Sequence, residues 1–335
     1  MADRVVIIGT KRGFEDIPIS MLRQMAGRAG RSYSGGIGNV DVFLLDDDFD
    51  DVKEGLVGSG KQLVNSFLGE ISNVAFHLLP EVSRGNVYDV RTAMAWHKNS
   101  FHAFQGGLID FEKVFDYLVE LEVVEVRDGK FCSTKMGDIS TSFYFRPEDV
   151  YAWKDNFEQV FDLGVENEDM AIVWALANVP REVNSRSSWK AKEGKIRCLD
   201  EINVLGFDID DSKMGAALSW LRILGGFHCP DTASYSKVLK KDFGRVLSAL
   251  KMLDVYRGWD MEDFFNRLQV QVSYSVGSEL YPLVMLEGIG KVYAQSLYNM
   301  GVTSGEDLVE CFSQIESECD PRLVKTVERL IHDIS

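Results

Sequence analysis

The chain has 335 residues, of which 45% are hydrophobic and 26% charged, so it can bury a core and form two or three domains. Its formal net charge of −16 excludes a broad electrostatic attraction for nucleic acid, so any such contact must be local. No run of about 18 apolar residues occurs, and the apolar run at the start is too short for a secretory signal. The sequence therefore predicts an intracellular, cytoplasmic protein without a membrane partner.

The thiol and imidazole side chains give no sign of a metal site. The five cysteines contain no CxxC pair, and an odd number favours reduced thiols in a cytosol over a disulfide framework. The five histidines show no ligand spacing, and His97 and His102, five residues apart, are interpreted as incidental. We therefore expect no bound metal on these residues.

The first fifty residues predict the order strand, turn, strand, helix, strand. Residues 5–8 and 40–45 are apolar runs typical of strands buried on both faces. Between them lie a polar loop, residues 10–18, and a short helix carrying Met21, Leu22 and Met25. The acidic run of residues 46–51 is interpreted as a solvated loop.

The segment RQMAGRAGR, residues 23–31, carries the most specific signal in the chain. Its spacing predicts that Arg28 and Arg31 lie on one helix face, with glycines that allow close backbone approach. Arginine suits phosphate because its planar group donates two charge-assisted hydrogen bonds. The alternative is a pair of ordinary surface arginines.

This segment resembles the last conserved motif of superfamily 2 helicases, QxxGRxGR, in the form found in the Ski-like branch that includes the HelQ-type DNA repair helicases. The resemblance implies that Gln24, Gly27 and Gly30 help to form a nucleotide site. It also implies that Arg28 and Arg31 face the triphosphate of ATP and act in catalysis, Arg31 being the better candidate for an arginine finger.

The preceding residues, ADRVVIIGTKRGFEDIPIS, resemble the strand and β-hairpin that separate a duplex in these helicases. The hairpin, residues 10–18, would contact nucleic acid through Lys11, Arg12 and Phe14. An aromatic wedge works by stacking on the last base pair. Phe14 is either that wedge or a residue of the local core.

The sequence contains no GxxxxGK[ST] phosphate loop and no DExH box. Such a loop holds the phosphates of ATP, and the acidic box holds Mg²⁺. We therefore expect no ATP hydrolysis by this chain alone. ATP and Mg²⁺ would bind only when a second polypeptide, or a longer gene product, supplies the N-terminal helicase half; otherwise that half has been lost.

Residues 61–145 predict three helices followed by a hairpin, which is the pattern of a winged helix. Phe111, Val114, Phe115 and Leu118 recur at helical spacing. Asp128-Gly129 between two extended runs is a strong tight-turn signal. The stretch 117–147 resembles the winged-helix end of HelQ-type helicases. Acidic residues before the hairpin favour packing over direct DNA binding.

Residues 147–276 predict a helical bundle whose tryptophans are mostly core anchors. One helix, residues 235–257, places five apolar residues on one stripe (Leu239, Phe243, Val246, Leu250, Leu253). Its other face carries basic and polar residues (Lys237, Lys241, Arg245, Ser248, Met252). Lysines can hold phosphates while a flat or soft side chain meets the bases. The helix resembles the ratchet helix of HelQ-type helicases, although Met252 stands where an aromatic residue is frequent; the alternative is a solvated face.

LEGIGKVYAQSLYNMGV, residues 286–302, resembles a helix-hairpin-helix. Gly288 and Gly290 allow the tight turn, and the following helix start, with Lys291, could bind a phosphate. Thr303 and Glu306 predict a capping box at the next helix. Residues 277–335 carry ten acidic and four basic side chains, so DNA binding and a structural or protein-binding role stay equally open.

Together these segments predict a mainly α protein with a small α/β start. The predicted domains are the C-terminal part of a second RecA-like domain (1–58), a winged helix (59–146), a helical ratchet-like domain (147–276) and a helix-hairpin-helix domain (277–335). The leading interpretation is the C-terminal part of an ATP-dependent helicase that acts on single-stranded or forked nucleic acid, with DNA favoured over RNA. The alternative is a non-catalytic adapter, derived from a helicase, that binds nucleic acid or a protein.

Overall fold

The computed structural model describes residues 4–12, 15–30, 38–44, 49–57, 65–181, 192–225 and 232–334. The chain forms two compact units, Met1–Ser66 and Phe67–Ser335. Within the described ranges the secondary structure is mainly helical, as the sequence predicts. No helix in these ranges is long and apolar enough to cross a membrane.

The first unit is a small α/β arrangement in the predicted order. Its strands and helices are β1 (Arg4–Ile8), β2 (Lys11–Arg12), β3 (Glu15–Asp16), α1 (Ile19–Ala26), β4 (Asn39–Phe43) and α2 (Phe49–Val57). β1 and β4 pair in parallel, with Arg4 opposite Asn39 and Ile8 opposite Phe43. A parallel pair needs a crossover connection, and here α1 lies within it.

The prediction that both strands are buried on both faces is wrong. Ile7, Leu22 and Val52 form the buried centre of the unit, but Ile8 is 83% exposed and Phe43 62% exposed. In the described residues the sheet has only two strands, so one face and the outer edges have no covering element. The acidic run is also partly helical, because Asp50 and Asp51 lie in the first turn of α2, where they complement the helix dipole.

The second unit begins with helices and the predicted hairpin. Its first elements are α3 (Ile71–Ser83), α4 (Val90–Lys98), α5 (Phe101–Phe104), α6 (Phe111–Glu120), β5 (Val124–Arg127), β6 (Lys130–Ser133) and α7 (Lys135–Phe143). Asp128 and Gly129 both have positive φ, 51° and 73°, as a two-residue hairpin turn with the native twist requires. Phe131 of β6 stacks on Phe115 of α6, with ring centroids 3.8 Å apart, so the hairpin is held against the helices.

A long helical bundle follows. Its helices are α8 (Pro147–Asp162), α9 (Asp169–Ala177), α10 (Lys192–Val204), α11 (Met214–Ile223), α12 (Ala233–Arg257) and α13 (Glu262–Tyr274). Trp153, Trp174 and Trp220 are buried, as predicted for core anchors, whereas Trp189 lies outside the described residues. Burial raises the pKa of the Cys198 thiol to about 12, so this side chain stays a protonated thiol at neutral pH.

The last helices surround a separate hydrophobic cluster that runs from Val276 to Leu330. They are α14 (Tyr281–Val284), α15 (Lys291–Asn299), α16 (Asp307–Glu310), α17 (Phe312–Glu318) and α18 (Pro321–Ile334). The predicted capping box of Thr303 and Glu306 is wrong. Instead Asp307 Oδ2 accepts hydrogen bonds from the amides of Thr303 and Ser304, at 2.8 and 2.9 Å, because its shorter side chain reaches the turn.

Candidate nucleic-acid interface and arginine motif

The arginine motif lies at the end of α1 rather than along it. The helix ends at Ala26, and Gly27 caps it with its amide 2.8 Å from the carbonyl oxygen of Arg23. Arg28 follows in a turn, with its amide 3.1 Å from the carbonyl oxygen of Met25. The prediction that Arg28 extends a helix face is therefore wrong, because the glycine at position 27 ends the helix first. Arg31 lies outside the described residues.

The motif still presents polar groups to solvent. Gln24, Gly27 and Arg28 are exposed, and Arg28 has no ion pair with any residue of the described ranges. Gly30 has φ +68°, and a Cβ at Gly38 would lie 2.3 Å from the amide nitrogen of Gly30. Glycines at both positions therefore let two backbone segments pass very close to each other beside Arg28.

The predicted hairpin of residues 10–18 is confirmed as a structure. β2 and β3 pair antiparallel, with Lys11 opposite Asp16 and Arg12 opposite Glu15, and the amide of Ile17 donates to the carbonyl of Thr10 at 2.6 Å. Lys11 lies 3.8 Å from the Asp16 carboxylate across the hairpin, and both side chains are largely exposed. Phe14, between the two strands in sequence, lies outside the described residues.

The amphipathic division of α12 is confirmed. All five residues of its predicted apolar stripe are buried, whereas Lys237, Lys241, Ser248 and Met252 are exposed. The ammonium groups of Lys237 and Lys241 have no hydrogen bond or ion pair within the part of the chain that the structure describes. The helix thus presents two unpaired cations and one soft side chain, Met252, along a single exposed face.

Arg245 lies on the same helix, but its guanidinium is already engaged. It donates to both carboxylate oxygens of Asp242, at 2.9 and 3.0 Å, and to the carbonyl oxygens of Phe143 and Tyr144, at 3.0 and 3.3 Å. It also lies over the ring of Phe145, 4.3 Å from the centroid. These contacts join α12 to the end of α7, so the guanidinium that was predicted to contact nucleic acid is engaged within the chain.

Asp242 also forms an ion pair with a second arginine, which lies in another part of the bundle. Arg181 lies 3.2 Å from its carboxylate. Burial alone would raise the pKa of Asp242, but the hydrogen bonds and charges of Arg245 and Arg181 outweigh it and lower the pKa. Asp242 is therefore ionised at neutral pH and anchors both arginines.

The other basic residues of α12 are also bound to neighbouring groups at the surface, which reduces the number of unpaired cations expected from the sequence. Lys240 donates to the carbonyl of Ser273 at 2.9 Å and to the hydroxyl of Ser275 at 2.7 Å. Lys251 donates to Asn266 at 2.8 Å, and Arg257 to Glu158 at 2.7 Å. Simple counting of charge along a helix could not separate these residues from Lys237 and Lys241.

The glycines of the C-terminal segment have distinct roles. Gly288 has φ +83°, and a Cβ there would lie 3.0 Å from Thr326 of α18, so this position needs glycine. Gly290 precedes α15 and has open space around it. Lys291, predicted to bind phosphate, instead donates to the carbonyl of Ser275, beside Lys240. Both lysines thus complement the C-terminal end of α13.

Two histidines whose spacing in sequence was interpreted as incidental are in contact in the structure. His97 Nε2 lies 2.9 Å from His102 Nδ1, across the turn between α4 and α5. Burial, followed by the charge of His102, lowers the pKa of His97. Within the described ranges no group of three or more His, Cys, Asp or Glu side chains could hold a metal ion.

The chain is similar in sequence to a group of known DNA helicases. No protein-family model matches the chain. Over 92% of its length the chain is similar to proteins named ATP-dependent DNA helicase Hel308. The identities are 24% for that of Caldivirga maquilingensis, 22% for Thermococcus kodakarensis and 26% for Pyrobaculum calidifontis. The chain spans 46%, 30% and 46% of those relatives, less than half of each. The predicted resemblance to superfamily 2 helicases of the Ski-like branch is confirmed.

Proposed function

We propose that this chain is the C-terminal part of an ATP-dependent DNA helicase of the HelQ-type branch, which holds single-stranded DNA along α12 and contributes arginines to an ATP site. The exposed face of α12, with its two unpaired lysines and Met252, is the observation that carries the proposal. The similarity to DNA helicases named Hel308 supports it. The finer assignments of a partial RecA-like domain, a winged helix, a ratchet-like bundle and a helix-hairpin-helix belong to the same proposal.

The charge distribution supports local strand binding. Lys237 and Lys241 are one helical turn apart, so both ammonium groups can meet neighbouring phosphates of one strand. Met252 is 46% exposed and lies about three turns further along, where a polarisable side chain can meet a base. The net charge of −16 of the whole chain disfavours binding at other surfaces and directs the strand to this face.

For the ATP site we propose that Arg28 and Arg31 stabilise charge on the transferred phosphoryl group, with Gln24, Gly27 and Gly30 beside them. This motif supplies side-chain hydrogen-bond donors and closely approaching backbone amides, but it contains no carboxylate that could bind Mg²⁺. The phosphate loop and the acidic box would therefore come from the remaining half of the helicase, on another polypeptide or elsewhere in a longer product. The hairpin with Lys11, Arg12 and Phe14 would separate the duplex next to this site.

The first experiment measures binding of a fluorescein-labelled single strand by anisotropy. We expect the double variant Lys237→Gln/Lys241→Gln to bind single-stranded DNA at least about tenfold more weakly than wild type. For single strands, each phosphate contact contributes about 0.7 to the slope of log binding constant against log salt concentration. Loss of two contacts should therefore make this slope smaller by about 1.4. Lys325→Gln, at an exposed lysine of α18, is the matched control. Equal affinity of the double variant and the control would contradict the proposal, and a parallel RNA strand tests the preference for DNA.

A second experiment addresses the ATP site. Native mass spectrometry of the assembly isolated from its source should reveal a stoichiometric polypeptide carrying a GKT or GKS phosphate loop, or a longer product containing both halves. In that assembly, Arg31→Ala should lower the ATPase rate by about 10³-fold or more while leaving strand binding intact. An unchanged rate would remove the arginine-finger role.

One observation favours the alternative, a non-catalytic adapter derived from a helicase. Lys291, which was predicted to bind phosphate, is bound to the end of α13, as is its neighbour Lys240. If Lys237 and Lys241 prove dispensable for strand binding, the adapter becomes the better interpretation.

A further inference from the structure

A surface on the second unit differs from the rest of the chain in charge. Residues 90–109 contain Arg91, Lys98 and both paired histidines but no aspartate or glutamate. In a protein with 52 acidic and 36 basic residues, such a stretch is unusual in carrying a positive charge of its own. The segment comprises α4, α5 and the loop that leads to α6.

The same surface is apolar. The outer face of α4 presents Arg91, Met94, Ala95 and Lys98, which recur at helical spacing and are all exposed. Beyond α4, Phe104 is 86% exposed and Leu108 93% exposed. Clustered exposed apolar side chains on a folded surface mark a site of interaction, whereas scattered ones do not.

A pocket lies within this surface. It has a volume of about 450 Å³, and its walls include Met94, Ala95, Lys98, Leu108, Ile109 and Phe111. His97 contributes to the wall and is held by His102. The His102 ring packs closely against the backbone of this loop, since a Cβ at Gly107 would lie 2.3 Å from the ring. The pocket is therefore preformed, mostly apolar and open to solvent, with one lysine in its wall.

Lys98 and Arg91 are available to a ligand. Neither has a hydrogen bond or ion pair within the described ranges. At the far end of the segment, Asp110 is occupied: it accepts from the amide of Lys113 at 3.3 Å and pairs with its ammonium group at 3.2 Å. Lys98, in the pocket wall, thus has no anionic partner in these ranges. Arg91 makes no ion pair there, but its charge reaches Asp89, whose pKa is lowered by the hydrogen bonds of Thr92 and then by Arg91.

We propose that this surface, formed by Arg91, Met94, Lys98, Phe104 and Leu108, binds an acidic peptide segment of a partner protein. One apolar side chain of the peptide occupies the pocket, and carboxylates next to it pair with Lys98 and Arg91. Peptides of this kind use apolar anchors at helical spacing for affinity and charge for orientation. Nucleic acid fits less well, because apolar side chains line most of the pocket and would meet no apolar partner on a phosphate backbone.

The test is a selection of phage-displayed random 16-residue peptides on the full chain, with counter-selection on the double variant Lys98→Glu/Leu108→Ser. We expect the enriched peptides to be acidic and to carry Leu, Phe or Trp at helical spacing. A synthetic peptide of the enriched sequence should bind the double variant at least about tenfold more weakly. The matched control is Lys325→Glu/Val204→Ser, which changes an exposed lysine and an 86%-exposed valine elsewhere and should bind as wild type.

Three results would overturn the proposal. The first is that the selection enriches no peptide that prefers the wild type to the double variant. The second is that the enriched peptides contain no acidic residues. The third is a double variant that loses affinity for single-stranded DNA while binding the acidic peptide normally, which would assign the surface to nucleic acid. Circular dichroism of both double variants checks that they are folded, and both substitutions lie at exposed positions.

Discussion

The guanidinium of Arg245 lies over the ring of Phe145, 4.3 Å from its centroid, and donates to the last carbonyl groups of α7. Those carbonyls have no partner within their own helix, since the last turn of every helix leaves them free. Tyr144 ends α7 in a left-handed conformation, φ 56°, which turns the chain toward α8. Arg245 thus fixes the long helix α12 against this corner.

Replacement of Arg245 by glutamine should therefore affect stability more than strand binding. We expect the free energy of unfolding to fall by about 1–2 kcal/mol, because the carbonyl contacts and the ring contact are lost while partial exposure weakens the ion pair. Urea denaturation measures this loss. Anisotropy should show a smaller loss of DNA affinity than Lys241→Gln causes, and the reverse order would restore Arg245 to the nucleic-acid interface.

Met252 offers a gain-of-function test of the strand path. Met252→Trp should tighten binding of single-stranded DNA by about tenfold, since aromatic stacking contributes about 1–3 kcal/mol per base. Val204→Trp, at another exposed position, is the control for nonspecific binding by tryptophan. If both variants tighten binding equally, α12 does not hold the strand at Met252.

Two glycines should respond oppositely to alanine. A Cβ at Gly137 would lie 2.2 Å from the backbone carbonyl oxygen of Val123, so Gly137→Ala should destabilise the protein by about 2–3 kcal/mol. Gly244 lies in α12 with open space around it, so Gly244→Ala should stabilise by up to about 1 kcal/mol through helix propensity. Thermal unfolding of the two variants side by side measures both effects. A stable Gly137→Ala variant would show that the corner between β5 and α7 can relax.

The His97–His102 contact predicts a pH dependence of stability. The pKa of His97 is lowered by burial and by His102, so the unfolded state binds a proton more readily than the folded state. The stabilising effect is thus complete above the unfolded pKa of about 6.5 and is lost as pH falls below it.

His97→Gln isolates this effect from the other titrating groups. The difference in unfolding midpoint between wild type and variant, followed from pH 8 to pH 5, should change in favour of the variant as pH falls. A difference that stays constant over this range would show that His97 does not change protonation on unfolding.

Local patterns in the sequence determined most of the elements. The Asp128-Gly129 turn, the apolar stripe of α12 and the hairpin of residues 10–18 each depend on neighbours within a few residues, and all three have the predicted form. The motif RQMAGRAGR likewise pointed to Ski-like helicases, because its residues are contiguous. Burial of Val6 and Ile8 could not be read in this way, since it depends on which elements cover the sheet.

Tertiary structure alone decided which charged groups are available. Along α12 the lysines and arginines look equivalent in sequence. Yet Lys240, Arg245, Lys251 and Arg257 each meet an acceptor from another part of the chain, and Lys237 and Lys241 meet none among the described residues. The contact between His97 and His102 likewise depends on the turn that brings α5 back toward α4. Sequence determines the local conformation and the chemical groups, but long-range packing determines which of those groups remain free to bind a ligand, because partners distant in sequence compete for them.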